Sequence, residues 1–159
     1  MQPAAVILIR QPTPADGPAI EEMFARCSLQ SRYARFLAPV PTIPADHLAR
    51  VLTPSTGDEA WVGVTSDEPE RVVALGSWSR LGDDAELAII VEDSWQHRGI
   101  GSKVLKMLGE RAWSAGACRL TADLLTESRH VLRMLRAIFG PMMSTLATGP
   151  TSRVTIERP

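Results

Sequence analysis

The stretch from Asp84 to Ser102 constrains the fold of this chain more than any other part of its sequence. It begins with an apolar segment over residues 85–91, which has the composition of a strand. Gly99 and Gly101 then open a segment with helical periodicity. A turn of this kind leaves backbone N–H groups without partners at a helix N-terminus, where they can bind a pyrophosphate. The segment therefore predicts a strand–turn–helix unit with an anion-binding turn.

Length and composition predict one domain over residues 1–159. The chain has 159 residues, 45% of them hydrophobic and 22% charged, with a net charge of −1. These values suit a globular domain with its own core. The charge balance gives no basic footprint for nucleic acid, and no apolar run approaches the roughly 20 residues that span a membrane. The first ten residues lack the charged region of a signal peptide, so we expect a cytoplasmic protein.

Cysteines and histidines give no sign of a metal site. Cys27 and Cys118 lie far apart and fit no spacing of metal ligands. We expect two reduced structural thiols, with a single disulfide as the alternative. His47 and His130 are isolated in the sequence and likewise suggest no metal.

Hydrophobic periodicity predicts the element order β-α-α-α-β-β-β-α-β-α-β-β. Strands are predicted over residues 5–10, 60–65, 71–79, 85–91, 118–125, 142–147 and 152–157. Helices are predicted from Thr13, with Pro14 at its first position, and over residues 28–37, 45–52, 101–115 and 128–139. Turn clusters at 66–69 and 82–84 favour an antiparallel meander before the long helix.

The long helix predicts a mixed sheet. A helical connection over residues 101–115 has the length of a crossover between parallel strands, so the strands before and after it should run parallel. The fold class is therefore α+β, with a mixed sheet of about seven strands and four to five helices.

The spacing Gln96-x-x-Gly99-x-Gly101, in this element order, resembles the acetyl-CoA-binding motif of the GNAT N-acetyltransferases. The resemblance covers nearly the whole chain and implies the GNAT acyl-CoA N-acyltransferase fold, with acetyl-CoA as co-substrate and no metal. Taken alone, the two glycines suit a simple tight turn equally well. A dinucleotide-binding site competes for them, but the third glycine of that motif is missing. The implied coenzyme-binding residues are Ile89, Ile90, Val91, Gln96, His97, Arg98, Gly99, Ile100, Gly101, Ser102 and Ser128.

Glu86 is the candidate general base. Acetyl transfer requires a neutral amine, yet a lysine-like amine with a pKa of about 10.4 is protonated at neutral pH. A carboxylate that accepts this proton accelerates such reactions about 10²–10⁴-fold. Glu86 lies inside an otherwise apolar strand, where an isolated carboxylate is costly. The alternatives are a solvated glutamate or one paired with a neighbouring arginine.

Residues 85–101 are similar to the acetyltransferase domain of the bacterial Pat-type protein lysine acetyltransferases. That resemblance implies Glu86 as base and the ε-amino group of a protein lysine as acceptor. Residues 29–36 resemble the helix that forms one wall of the acceptor site in this group. Tyr33 and Arg32 or Arg35 are therefore candidates for acceptor contacts, with core packing of Tyr33 and Phe36 as the alternative.

One departure from the wider family concerns the general acid. Many GNAT enzymes open the last helix with an Asn and carry a Tyr seven residues later, which protonates the leaving thiolate. Ser128 and Leu135 occupy these positions here, so departure of the thiolate uses water or is unassisted.

Two other functions stay open at this stage. One is acetylation of a small amine, such as a polyamine, an antibiotic or an amino acid. The other is a non-catalytic acyl-CoA-binding module. A homodimer is compatible with the sequence, whereas nucleic acid and membrane partners are not expected.

Overall fold

The computed structural model of the chain describes residues 6–67 and 70–159. Its strands are β1 (Ile7–Arg10), β2 (Asp58–Thr65), β3 (Val72–Leu81), β4 (Asp84–Val91), β5 (Arg119–Leu125), β6 (Met143–Thr148) and β7 (Thr151–Glu157). Its α-helices are α1 (Gly17–Arg26), α2 (Leu29–Phe36), α3 (Ala45–Leu52), α4 (Ile100–Ser114) and α5 (Arg129–Phe139). The strands form a seven-stranded sheet in the order β1-β2-β3-β4-β5-β7-β6.

The predicted α+β class and element order are confirmed, with small differences at the element ends. The predicted start of the first strand at Ala5 and the end of the turn cluster at 68–69 lie outside the described residues. A 3₁₀ turn over Pro14–Asp16 precedes α1, so the first α-helix begins later than Thr13. The last two strands form the predicted hairpin, and β7 rather than β6 pairs with β5.

Helices cover both faces of the sheet. On one face α4 packs through Val104, Leu108 and Ala112, which are fully buried. Gly76 of β3 permits this close approach, because a Cβ atom there would lie 2.5 Å from Cγ1 of Val104. On the other face α1, α2 and α3 cover the first half of the sheet, and Phe24 is a buried anchor of that layer.

Strands β4 and β5 pair only over their first residues. They are parallel, as predicted, and the pairs are Asp84 with Arg119, Ala85 with Leu120 and Glu86 with Thr121. Beyond Glu86 the two strands diverge. Because they run in the same direction, the resulting fork opens at their carboxyl ends, where α4 and α5 begin.

Strand alternation decides which face Glu86 occupies. Ala85 and Leu87 belong to the core beneath α4, and Ile90 belongs to the core beneath α1–α3. Side chains of a strand alternate between faces, so Glu86 lies on the α1–α3 face. The base predicted from the sequence therefore projects from the last paired position of β4, away from the α4 layer.

A buried ion cluster holds the end of β4. Glu92 has 4% side-chain exposure, and its Oε1 accepts hydrogen bonds from Arg26 at 2.8 Å and Arg71 at 2.7 Å. Arg26 also donates to the carbonyl of Val72 at 3.0 Å. These contacts join α1 to β3 and to the end of β4, just before the glycine turn.

We expect Glu92→Ala to lower the free energy of unfolding by about 3 kcal/mol, because removing one partner of a buried ion pair leaves unmatched charge behind. Both arginines keep some contact with water, which places the value at the low end of the range. Urea denaturation measures the change as a lower midpoint at unchanged slope. Glu70→Gln is the control, since Glu70 pairs with Arg10 at an exposed site and should cost less than about 1 kcal/mol. Equal losses in the two variants would contradict this assignment.

Candidate functional site

A cleft of about 660 Å³ occupies the fork between β4 and β5. Its walls come from the end of β4, the glycine turn, the start of α5 and one side of α2. The lining residues are Gln30, Ser31, Ala34, Ile89, Ile90, Val91, Asp93, Trp95, Gln96, His97, Gly99, Gly101, Ser102, Leu125, Glu127, Ser128, His130, Val131 and Met134. The cleft therefore combines an apolar wall with polar groups concentrated at the turn.

The glycine turn presents free backbone donors. Among the described residues, no acceptor bonds the N–H groups of residues 97–102, and the first intrahelical bond of α4 runs from Lys103 to the carbonyl of Gly99. His97 and Gly99 have φ angles of +62° and +83°. That left-handed conformation costs about 1–2 kcal/mol for a residue with a Cβ, which explains glycine at position 99. The positive end of the α4 dipole adds to the attraction for an anion.

Nine of the predicted coenzyme-binding residues line the cleft, and two do not. The side chain of Ile100 is buried in the core beneath α4, because it faces the sheet at the first helical turn. The guanidinium of Arg98 stacks on the ring of Trp95 at 4.6 Å. Both residues therefore offer the turn their backbone N–H groups rather than their side chains.

A hydrogen-bonded network ties the turn to α2. Nε2 of Gln96 donates to the carbonyl of Val91 at 2.9 Å and to Oγ of Ser31 at 3.2 Å. Oδ1 of Asp93 accepts from the N–H of Ser28 at 2.8 Å, and its Oδ2 accepts from the hydroxyls of Ser28 and Ser31. The side chain of Gln96, predicted to bind coenzyme, is thus engaged in positioning the turn. Asp93 was missed by the sequence analysis, because its partners lie on a distant helix.

The pKa of Asp93 reflects this network. Burial alone would raise it, but the N–H of Ser28 and the hydroxyls of Ser28 and Ser31 hold it below its ordinary value. A carboxylate with a lowered pKa in the folded state stabilises the fold above its unfolded pKa. This contribution is lost as the pH falls through the lower, folded pKa.

Two histidines meet at the mouth of the cleft. The ring of His97 lies 5.8 Å from the ring of His130 in α5, measured between centroids. Their proximity was not predictable, since nothing in the sequence links the turn to the first residues of α5. Among residues 6–67 and 70–159, no three His, Cys, Asp or Glu side chains converge as metal ligands.

A second cavity of about 630 Å³ lies at Glu86, on the α1–α3 face of the sheet. It adjoins the cleft along β4, and both are also walled by α2. Glu86 is half-buried, and no described residue donates a hydrogen bond to its carboxylate. Thr121, its partner on β5, is 6% exposed, and Oγ1 has no hydrogen-bond partner among the described residues. The apex of the fork thus holds a free carboxylate beside an unpartnered hydroxyl.

Arg35 and His47 form the opposite wall of this cavity. Burial lowers the pKa of Arg35 to about 10, although the negative charge of Glu86 acts in the opposite direction and raises it. Burial and the charges of Arg35 and Arg50 lower the pKa of His47 to about 4, so its ring is neutral at pH 7. A neutral ring can accept a hydrogen bond from the guanidinium of Arg35, which lies 3.3 Å from Nε2.

The other predicted acceptor contacts do not line this cavity. The guanidinium of Arg32 donates to the carbonyls of Cys27 and Pro41 and so connects α2 to the segments before and after it. Tyr33 is 42% exposed, so the alternative of core packing is wrong for Tyr33. Phe36 packs against Phe24 at a centroid distance of 5.7 Å.

Neither cysteine forms a disulfide in the described structure. Cys27 is buried, and burial raises the pKa of its thiol to about 11. Cys118 is exposed, so the prediction of a structural role fits Cys27 only. Within the described part of the chain, no helix combines the length and apolarity required to cross a membrane.

We expect Asp93→Asn to lower the free energy of unfolding by about 1 kcal/mol near pH 7. The loss is smaller than for a buried carboxylate, because Asp93 is exposed to water. The loss should vanish as the pH falls well below the ordinary pKa of 3.8, where the wild-type carboxyl is also protonated. Chemical denaturation at several pH values measures this. Hydrogen exchange should show faster exchange in α2 than in the wild type. Asp123→Asn, which removes an exposed pair with Arg153, is the control. A pH-independent loss at position 93 would refute the assignment.

Comparison with known proteins identifies the fold. No protein-family model matches the chain, and no curated protein sequence matches it. Among solved structures, the GNAT domain of S. lividans PAT superposes with a TM-score of 0.82 at 20% identity, over 99% of this chain and 100% of that domain.

Two further structures give the same result. A Salmonella typhimurium protein solved with its cofactor acetyl-CoA has a TM-score of 0.71 at 19% identity, over 96% of this chain and 92% of that one. The ribosomal-protein-alanine N-acetyltransferase of Brucella melitensis has a TM-score of 0.73 at 16% identity, over 95% and 99%. With its seven-stranded mixed sheet and its forked parallel strands, the chain has the fold of the GNAT acetyltransferases.

Proposed function

We propose that this chain is an acetyl-CoA-dependent N-acetyltransferase that transfers acetyl directly to an amine, with Glu86 as general base. The observation that carries the proposal is the fork itself. It brings an anion-binding turn and an unpartnered carboxylate to the two adjoining cavities along β4. We further propose the ε-amino group of a protein lysine as acceptor, supported by the resemblance of residues 85–101 to the Pat-type enzymes.

The cleft suits coenzyme A in its polar and apolar parts. The free N–H groups of residues 97–102 would hold the pyrophosphate, as helix N-termini do. Beyond Glu86, the edge of β4 that faces β5 has no strand partner. Apart from the carbonyl of Val91, which accepts from Gln96, the backbone groups of this edge would be free to pair with the amides of the pantetheine arm. Ile89, Val131 and Met134 give this arm an apolar wall.

In this proposal, Glu86 receives the proton of the acceptor amine. The bound co-substrate supplies an acetyl group as a thioester at the apex of the fork. The amine nitrogen forms the new C–N bond as the C–S bond breaks, and its proton passes to Glu86 directly or through water. Leu135, at the position of the family's tyrosine, has no proton to donate. The thiolate would therefore leave unassisted or take a proton from water, and Glu86 would release the proton of the amine to solvent.

Thr121 is a candidate positioning residue for this proton transfer. Its hydroxyl is buried, has no partner among the described residues and shares a face of the sheet with Glu86. A buried hydroxyl without a hydrogen bond costs stability, and a water molecule held between Thr121 and Glu86 would remove that cost. Such a water would carry the proton from the amine to the carboxylate.

For the co-substrate, we expect calorimetric titration with acetyl-CoA to give a dissociation constant on the order of micromolar. S-acetylpantetheine, which lacks the pyrophosphate together with the adenosine 3′-phosphate, should bind at least about 100-fold more weakly, since the turn would have no anion to hold. Equal affinity for the two compounds would remove the turn from the proposal, and no binding of either would end the enzyme hypothesis.

The second prediction concerns the base. We expect Glu86→Gln to reduce kcat about 10²–10⁴-fold with an unchanged dissociation constant for acetyl-CoA. Glu59→Gln is the matched control in the same cavity, because the Glu59 carboxylate is paired with Arg111. A non-catalytic acyl-CoA-binding module would show coenzyme binding with no turnover in the wild type. Unchanged acetylation by Glu86→Gln would mean that another group takes the proton.

The third prediction separates a positioning role of Thr121 from a structural one. We expect Thr121→Val to lower kcat about tenfold, while the free energy of unfolding stays equal or rises because an unpartnered buried hydroxyl is removed. Thr155→Val on the adjacent strand is the control. Steady-state kinetics and urea denaturation measure the two effects. Unchanged kcat in a stabilised Thr121→Val protein would show that the hydroxyl has no part in the reaction.

A further inference from the structure

We propose that the acceptor of this protein carries a carboxylate beside its reactive amine, and that Arg35 binds this carboxylate. The inference rests on the proposed function, since it takes Glu86 as the group that receives the amine. It adds the charge of the acceptor, which the family resemblance leaves open.

Arg35 has free hydrogen-bonding capacity in the cavity that contains Glu86. It is half-buried, its guanidinium lies over the ring of Phe36 at 4.6 Å, and its one polar partner in the described structure is Nε2 of His47 at 3.3 Å. A guanidinium has five N–H donors arranged in a fork that matches a carboxylate. The contact with His47 uses one end of this fork and leaves the other donors without partners.

Six other arginines of this chain pair with acids, whereas Arg32 and Arg80 donate to backbone carbonyls. Carboxylate partners are present for Arg10, Arg26, Arg71, Arg111, Arg119 and Arg153. Within residues 6–67 and 70–159, no carboxylate lies at ion-pair distance from Arg35. A partly buried guanidinium without an anion is costly, so the position favours a ligand that supplies one.

The remaining acids of the cavity are already engaged or lie at its rim. Oδ1 of Asp58 accepts from the N–H of Arg80 at 3.4 Å, and Glu59 is paired with Arg111. Asp46 is exposed on the first turn of α3, one helical turn before the exposed Arg50, which offsets its charge. Arg80 also lines the cavity without a carboxylate partner, but its Nη2 donates to the carbonyl of Ala115 at 2.8 Å and its Nη1 is buried away from solvent. Glu86 and Arg35 therefore remain as charges of opposite sign that face the cavity without an ion-pair partner.

A free anion and a free cation facing one cavity are complementary to a ligand that carries both charges. The acceptor amine would approach Glu86 while a neighbouring carboxylate forms a paired hydrogen bond with Arg35. Under the proposed function the ligand is a protein lysine with an aspartate or glutamate beside it in sequence. A free amino acid presents the same pair of groups and is the other source of this chemistry.

Matched peptides test the inference. Each contains one lysine flanked on both sides by glutamate or, in the neutral version, by glutamine. We expect the wild type to acetylate the glutamate peptide with kcat/KM about tenfold higher than the glutamine peptide. Arg35→Gln should abolish this preference by lowering kcat/KM for the glutamate peptide alone, and Arg35→Lys should restore part of it. Arg136→Gln, on the exposed side of α5, is the control and should leave the preference unchanged.

A merely structural role of Arg35 predicts another pattern. Arg35 also contacts Phe36 and His47, so its loss could disturb α2 and slow both peptides equally. An equal loss on both peptides, with the wild type showing no preference, overturns the inference. Melting temperatures of the Arg35 variants show whether each protein is folded under the assay conditions. If Arg35→Gln is unfolded, the comparison of the two peptides is made with Arg35→Lys.

A binding measurement separates this inference from the proposed function. The Glu86→Gln variant, saturated with coenzyme A, is titrated with the two peptides and with free glutamate and lysine. Tighter binding of the glutamate peptide, lost when Arg35→Gln is added, supports the inference. If the wild type nevertheless acetylates no peptide, only the proposal of a protein lysine as acceptor is refuted. Acetylation of both peptides with no preference in rate or binding overturns the inference and leaves the proposed function standing. Acetylation of free amino acids but not of peptides would support the role of Arg35. It would also show that the acceptor is a free amino acid instead of a protein lysine.

Discussion

The early end of pairing between β4 and β5 is the constraint on which the rest of the site depends. Three residue pairs hold the strands together, and beyond Glu86 and Thr121 they separate. Where strand pairing stops, backbone donors and acceptors lose their hydrogen-bond partners. In the middle of a sheet such groups are rare unless water or a ligand pairs with them. The helix N-terminus at Gly99 opens into the same gap. The fork therefore supplies a cavity, a free strand edge and a positive helix end at one place, and all three suit an extended anionic ligand that contains amides.

Helix α2 couples the two halves of this site. Its residues Ser31 and Ala34 line the cleft in the fork, whereas Arg35 and Phe36 line the cavity at Glu86. The network from Asp93 through Ser28 and Ser31 to Gln96 fixes the same helix to the glycine turn. A ligand that orders the turn would thereby also order the wall of the second cavity. Under the proposed function, coenzyme binding would therefore stabilise the surface at which the acceptor docks.

The elements and the glycine turn were predictable because local rules specify them. A continuous apolar run identified β4, helical spacing identified α4, and Gly99 has the left-handed φ angle that the turn requires. The apolar run also included Glu86 in β4, although only the burial pattern shows which face it occupies. The contacts of Asp93 with Ser28 and of Arg35 with His47 were not predictable, since they join residues on different elements. Gln96 shows the same limit: its motif position was recognised, but its side chain positions the turn instead of facing a ligand freely.

The cavity at Glu86 is bordered by polar groups that no other described residue satisfies in full. Glu92, the most buried acid of the ion clusters, differs from them because two arginines compensate its charge, although its Oε2 accepts no hydrogen bond among the described residues. Glu86, Thr121 and Arg35 lack such compensation although they line or border one cavity. The buried hydroxyl of Thr121 costs stability while it lacks a hydrogen bond, whereas Glu86 and Arg35 are half-buried and keep contact with water. Under the proposed function and the inference about Arg35, a ligand would use all three groups: the carboxylate would deprotonate its amine, the hydroxyl would hold the water that carries the proton, and the guanidinium would bind an anion beside the amine.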